Sequence, residues 1–255
     1  MNETTRWLIM LAAAYLTGSI SFALILGRIK GIDIRKHGSG NVGASNVGRT
    51  LGRSWGMICF TLDVLKGLVP VVVAGLWFGT MALDLQSESQ PTLTSAQSWW
   101  WLGVGAASIG GHMFSVFLGF KGGKGVATGF GAMVGMYPHL TWPALGAMAV
   151  WLICVRLSRY ISLSSIVASA SLPLWYVVVQ MPRDLDASSE AGSGLSAWGR
   201  GLADGWPFLA VTVLMAVFVA FKHTSNIKRL LNGTEPKIGQ ALPDEAQDPP
   251  TTPPK

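Results

Sequence analysis

Long apolar blocks constrain the fold of this chain more than any other feature of its sequence. A helix that crosses the ~30 Å hydrocarbon core of a bilayer needs about 20 predominantly apolar residues. With half of the residues apolar and only 13% charged, intrinsic disorder and a charged coiled coil are excluded. The sequence therefore predicts an all-α polytopic integral membrane protein. The blocks cover residues 7–27, 55–81, 99–119, 126–155, 161–181 and 206–221.

The charges between the blocks predict the orientation, because Lys and Arg collect on the cytoplasmic side of a membrane. Residues 31–53 and 121–124 are basic, whereas 82–98 carry acidic residues and no Lys or Arg. If Arg156 and Arg159 are also inside, an even number of crossings must lie between Lys124 and Arg156. The long fourth block is therefore predicted to be a helical hairpin that turns near Pro138.

This arrangement gives seven transmembrane helices, with the N-terminus outside and the C-terminus cytoplasmic. It places fifteen Lys and Arg against five Asp and Glu inside, and three against seven outside. Residues 1–239 form one membrane domain, 183–204 an external loop, and 240–255 a disordered, Pro-rich tail. The alternative to the first span is a cleaved signal peptide at residues 1–27. The predicted spans are 7–27, 55–81, 99–119, 125–137, 140–156, 161–181 and 205–221.

The basic segment 31–53 is rich in glycine and contains a formal G-x-G-x-x-G. A nicotinamide site is disfavoured, because no strand precedes the glycines and Asp63 lies in an apolar span. The glycines allow N–H groups to approach a phosphate closely. The alternative is a glycine-rich turn whose basic residues only fix the topology. The candidate phosphate ligands are Gly38, Ser39, Gly40, Asn41, Gly43, Ser45, Asn46 and Arg49.

Three further polar segments are predicted to lie on the same side. KGGKGVAT at 121–128 lacks the P-loop spacing, but a glycine turn before a helix binds anions and Lys124 supplies a countercharge. Ser162 lies near the cytoplasmic interface at the start of a span. His223 and Asn226 are three residues apart and share one helical face.

The remaining polar residues are interpreted as structural. Asp63 and Lys66 stand three apart in the second span and are predicted to form a self-neutralising ion pair. His112 and His139 are interpreted as packing residues. We expect no metal, because both cysteines lie in apolar blocks and the histidines lack ligand spacing.

A cytoplasmic site of Gly, Ser, Asn, Lys, Arg and one His suits phosphate groups presented at the membrane surface. Chemistry on phosphorylated lipid precursors is the leading hypothesis, and no nucleic-acid partner is expected. A transporter of phosphorylated small molecules is the alternative. A membrane scaffold would explain the helices but not the four polar segments.

At these residues the chain resembles the bacterial acyl-phosphate-dependent glycerol-3-phosphate acyltransferases, the PlsY family. The resemblance implies a seven-helix enzyme of the bacterial inner membrane with a cytoplasmic active site and no cofactor. Its reaction would move an acyl group from acyl phosphate to the sn-1 hydroxyl of glycerol 3-phosphate, giving lysophosphatidic acid. It also implies a functional link to the enzyme that makes acyl phosphate from acyl carrier protein. The similar stretches are 18–52, 62–67, 111–129, 159–166 and 226–239.

The resemblance also implies roles for individual residues. The loop 38–46 corresponds to the phosphate-binding hole of the family, and the general base is either His223 or the substrate's own phosphate. The sequence departs from the family's usual motifs at Ser21, which replaces a proline, and at 222–226, where KHTSN stands in place of R-H-R-E-N. The long acidic outer loops and the Pro-rich tail are a third departure, interpreted as peripheral additions. The catalytic candidates are Ser39, Arg49, Lys124 and His223, and Ser162 and Asn226 join the loop as substrate-binding candidates.

Overall fold

The computed structural model describes residues 1–81, 93–180 and 195–240, and within these ranges the secondary structure is entirely helical. Of the predicted tail at 240–255, residues 241–255 lie outside the described residues. Two 3-10 turns, Ile34–Lys36 and Val116–Leu118, and a π-helical segment, Tyr176–Gln180, complete the regular structure. The helices are α1 (Glu3–Gly18), α2 (Phe22–Ile29), α3 (Ala44–Leu51), α4 (Arg53–Phe78), α5 (Ser95–Met113), α6 (Val126–Gly135), α7 (Thr141–Ser158), α8 (Ile161–Trp175), α9 (Leu195–Lys222) and α10 (Thr224–Leu231).

Six helical segments in the described part of the chain are long and apolar enough to cross a membrane. The helix α6, where the fourth span is predicted, has only 10 residues and is about 15 Å long, half of the hydrocarbon thickness. The chain between α6 and α7 turns at residues 136–140, around the predicted Pro138. The helix α9 begins at Leu195, so residues 195–204, predicted to be loop, are helical.

Glycines bring α6 against α4. A methyl group added at Gly67 would overlap the carbonyl group of Thr128, and one added at Gly131 would overlap that of Val64. The two backbones can therefore approach closely only because these positions lack a side chain. This contact fixes the start of α6, and with it the preceding Lys124, relative to α4.

The first span is broken between α1 and α2. The carbonyl oxygen of Ile20 accepts a hydrogen bond of 2.8 Å from Lys66 Nζ, and that of Ser19 accepts one of 2.7 Å from Ser115 Oγ. Ser21, which replaces the family's usual proline, accepts a hydrogen bond from the Leu24 N–H and caps α2. The break therefore persists without proline, because side chains satisfy the freed carbonyl groups.

The predicted ion pair between Asp63 and Lys66 is confirmed, with Oδ1 and Nζ 2.7 Å apart and both side chains buried. A small apolar cluster beside it holds α2 and α4 against the glycine-rich loop. Within this cluster Ile34 and Val47, which flank the loop, are fully buried. The loop is therefore anchored on both sides.

Candidate active site

The polar segments that follow α7 and α9 meet at Glu235. Its Oε1 accepts hydrogen bonds of 2.6 Å from Ser162 Oγ and 2.7 Å from Asn226 Nδ2. Its Oε2 accepts one of 2.7 Å from Arg229 Nε. Burial raises the pKa of Glu235, but these hydrogen bonds and the charge of Arg229 outweigh it, so the pKa lies below its usual value. The carboxylate is therefore ionised at neutral pH and organises the cluster.

Sequence reasoning missed Glu235. It is the only acidic residue between positions 222 and 240, in a segment otherwise basic and polar, and this isolation was the available signal. Arg229, one of the basic residues of that segment, pairs with this carboxylate. We call Glu235, Ser162, Asn226 and Arg229 the carboxylate cluster.

Lys124 joins the carboxylate cluster from the loop before α6. Its Nζ donates a hydrogen bond to Asn226 Oδ1, so the Asn226 amide connects the lysine to Glu235. Burial lowers the pKa of Lys124 to about 8, against the opposing charge of Glu235. The positive charges of Arg229, Lys222 and Arg49 contribute to this lowering. The structure thus concentrates positive charge around Lys124, and Arg49 of the glycine-rich segment 31–53 contributes to it.

His223 is buried at the junction of α9 and α10, and its Nδ1 lies 2.7 Å from the carbonyl oxygen of Val219. Because a carbonyl can only accept, Nδ1 carries the proton in the neutral ring and Nε2 holds a lone pair. Burial, and after it the charge of Lys124, lowers the pKa of His223 to about 4. The imidazole is therefore neutral at pH 7, as a general base requires.

Asn46 organises the glycine-rich loop. Its Nδ2 donates to the carbonyl oxygens of Ile34 and His37 at 3.1 and 3.0 Å, and its Oδ1 accepts from the Ser39 N–H at 2.8 Å. Both amide hydrogens are engaged within the loop, so Asn46 shapes the loop instead of offering these donors to a phosphate. Gly38 and Gly40 have φ of +59° and +66°, a region that favours glycine.

The other loop candidates lie nearer the surface. The side chains of Ser39 and Ser45 are exposed, and that of Asn41 is half-buried. Gly43 precedes the first turn of α3 without a side-chain cap, so the N–H groups of Ala44 and Ser45 have no intrahelical acceptor. The loop therefore presents main-chain donors and hydroxyl groups at a helix N-terminus, a suitable environment for an anion.

Within the described ranges, no group of three or more His, Cys, Asp or Glu side chains could hold a metal ion. Thr224 and Ser225, which replace the family's usual Arg and Glu, are both exposed at the start of α10. Their side chains therefore point away from the buried His223 and Asn226, and the carboxylate cluster forms without them.

Comparison with known proteins decides the family. The family model described as glycerol-3-phosphate acyltransferase matches residues 8–233. The chain belongs to this family. A glycerol-3-phosphate acyltransferase of Trichlorobacter lovleyi is 42% identical over 234 residues, covering 92% of this chain and 98% of that protein. One from Aquifex aeolicus is 36% identical over 228 residues, covering 89% and 97%.

Two solved structures share the fold of this glycerol-3-phosphate acyltransferase. Both are of PlsY, an integral membrane glycerol 3-phosphate acyltransferase, in a glycerol 3-phosphate form and a lysophosphatidic acid form. Their TM-scores are 0.70 and 0.68 at 35% and 34% identity, and each comparison covers 92% of this chain and 96% of the other. The resemblance to the PlsY family is therefore confirmed. The protein is an integral membrane acyltransferase of phospholipid synthesis, which favours the enzyme over the transporter.

Proposed function

We propose that this acyltransferase uses acyl phosphate as donor and the sn-1 hydroxyl of glycerol 3-phosphate as acceptor, producing lysophosphatidic acid and inorganic phosphate. The observation that carries the proposal is the half-buried Lys124, held by Asn226 beside the neutral His223 and within the field of Arg49. This is a site for two phosphorylated substrates. The glycerol 3-phosphate form of the similar PlsY supports the acceptor.

The reaction needs no covalent acyl-enzyme, because an acyl phosphate is already an activated mixed anhydride. The acceptor oxygen attacks the acyl carbon and forms the new ester bond, while the bond from that carbon to the phosphate oxygen breaks. Phosphate leaves with the electron pair, and the hydroxyl proton passes to His223 Nε2 or to a substrate phosphate. Positioning and charge neutralisation supply the rate acceleration.

We assign the phosphates to the basic segments. Gly38, Ser39, Gly40, Asn41, Gly43 and Ser45 hold one phosphate, in a loop whose shape Asn46 maintains. Lys124 has two N–H donors left after its bond to Asn226, and with Arg49 it neutralises the charge that develops between the substrates. Ser162 keeps its hydroxyl lone pairs for the acceptor's hydroxyl groups.

We further propose that the chain is a single domain over residues 1–239 with seven spans, in which α6 is the short fourth crossing. The N-terminus would lie outside, the C-terminus and active site in the cytoplasm, and the protein in the bacterial inner membrane. The excess of Lys and Arg in the connections assigned to the inside supports this orientation. The donor would come from the enzyme that makes acyl phosphate from acyl carrier protein.

One assay tests the donor. Purified protein in liposomes receives glycerol 3-phosphate with acyl phosphate, acyl-CoA or acyl carrier protein donors in parallel, and lysophosphatidic acid is quantified. Turnover with acyl phosphate alone is expected, whereas direct use of either other donor would overturn the proposal. Lys124→Ala should abolish most turnover, while Lys121→Ala, which removes an exposed lysine of the same loop, should not.

A further inference from the structure

A second group of buried charged and polar side chains lies inside the helix bundle, and the proposed mechanism does not use it. Asp63, Lys66 and His112 are 2%, 6% and 7% exposed. Asp63 Oδ1 lies 2.7 Å from Lys66 Nζ and 3.7 Å from His112 Nδ1. We call these three residues the inner cluster.

One end of the inner cluster is fixed to the break in the first span. Lys66 Nζ donates 2.8 Å to the carbonyl oxygen of Ile20, which lacks a helical partner there. The main chain of Lys66 is held as well, because its carbonyl oxygen accepts a hydrogen bond of 2.7 Å from the buried Ser108 Oγ. The ammonium group therefore has a fixed anchor that is independent of the active site.

The other end contacts the turn that carries Lys124. The Gly123 N–H donates 3.1 Å to the carbonyl oxygen of His112. A methyl group added at Gly123 would overlap His112 Nε2, and one added at Gly122 would overlap the His112 carbonyl oxygen. The imidazole thus lies between Asp63 and Gly123, and Lys124 is the next residue along the chain.

Stability alone does not account for charges in this position. A buried ion pair seldom stabilises a protein more than well-packed apolar side chains of the same volume, and charges inside a membrane span are costly. Ion pairs and hydrogen bonds do fix direction and distance, which apolar contacts fix less well. Such precision is needed here, because the inner cluster contacts the turn that positions Lys124.

We propose that Asp63, Lys66 and His112 are positioning residues that hold the Gly122–Gly123 turn and thereby aim Lys124 Nζ at the substrate phosphates. This inference rests on the role proposed above for Lys124. Displacing a charge by about 1 Å at such a site can cost about 100-fold in rate. Disruption of the inner cluster should therefore reduce turnover through Lys124.

The test is a double-mutant cycle on the full-length protein in liposomes, with lysophosphatidic acid formation as readout. Asp63→Asn combined with Lys66→Met removes both charges together, so no unpaired charge stays buried. In the wild-type background this change should lower kcat about 10-fold or more. In a Lys124→Ala background it should lower the residual rate less than about 2-fold, because no amine remains to be misplaced.

His112→Phe provides a second route, should the charge-free pair fail to fold, because it keeps a ring against Gly123 and removes the nitrogen that faces Asp63. It should show the same non-additivity with Lys124→Ala. Ser169→Ala is the matched control, since it removes a buried hydroxyl that bonds within α8 and touches neither the inner cluster nor the turn, and it should turn over normally.

Two failures can be told apart. Equal losses in both backgrounds, or no loss at all, would overturn the positioning role alone. Full activity of Lys124→Ala would overturn the role of Lys124 and the positioning role with it. Whichever acyl donor the wild type uses can drive the cycle, so a wrong donor assignment would not obscure the result.

Discussion

The lowered pKa of Lys124 predicts that catalysis fails in mildly alkaline solution, well below the usual range of a lysine. Only the protonated amine can neutralise phosphate charge, and burial brings its pKa to about 8. Each pH unit above that value should lower kcat/KM roughly tenfold, so the loss at pH 10 should be about 100-fold. A substrate phosphate monoester is already dianionic above about pH 6 and does not titrate in this window.

The assay measures kcat/KM for glycerol 3-phosphate between about pH 6 and 10 at constant ionic strength, with the enzyme-free hydrolysis of acyl phosphate subtracted. Lys124→Arg should have lower activity but no alkaline decline, because a guanidinium stays charged throughout the range. Lys121→Arg should retain the wild-type profile. An alkaline decline that persists in Lys124→Arg, or a wild type without one, would refute the assignment of the charge to Lys124.

Three other predictions follow from the site. Glu235→Gln loses a charge-assisted contact with Arg229 that is worth about 2–3 kcal/mol. A thermal scan should therefore show a Tm lower by roughly 4–10 °C. An unchanged Tm would argue against the carboxylate cluster. If His223 is the base, kcat/KM should fall below about pH 4, whereas a limb near pH ~6 that survives in His223→Gln would identify the substrate phosphate instead. Asn46→Asp turns a carboxylate toward two carbonyl groups and should lower Tm by several degrees. Ser39→Ala, at the exposed surface, should lower turnover and leave Tm unchanged.

The Asn46 amide illustrates how far sequence reasoning could reach. Its position in a glycine-rich basic segment was enough to make it a candidate for a phosphate site. Whether it contacts the ligand or builds the loop depends on where the carbonyl groups of Ile34 and His37 lie, and the sequence does not contain that information. Glu235 was overlooked for a related reason, since a single carboxylate in a basic tail gives no periodic signal.

The hydropathy pattern alone determined that this chain is a helical membrane protein, and the placement of Lys and Arg alone suggested one common side for its polar segments. Both signals are local, because the free energy of placing a residue in lipid or at the membrane surface depends little on residues far away in the sequence. Contacts between distant segments were decided by tertiary packing. Lys124 meets Asn226 across 102 positions of sequence, and Ser162 meets Glu235 across 73. Only the packing of α6, α8 and α10 brings these side chains together, because their separations follow no helical period and depend on how the helices cross.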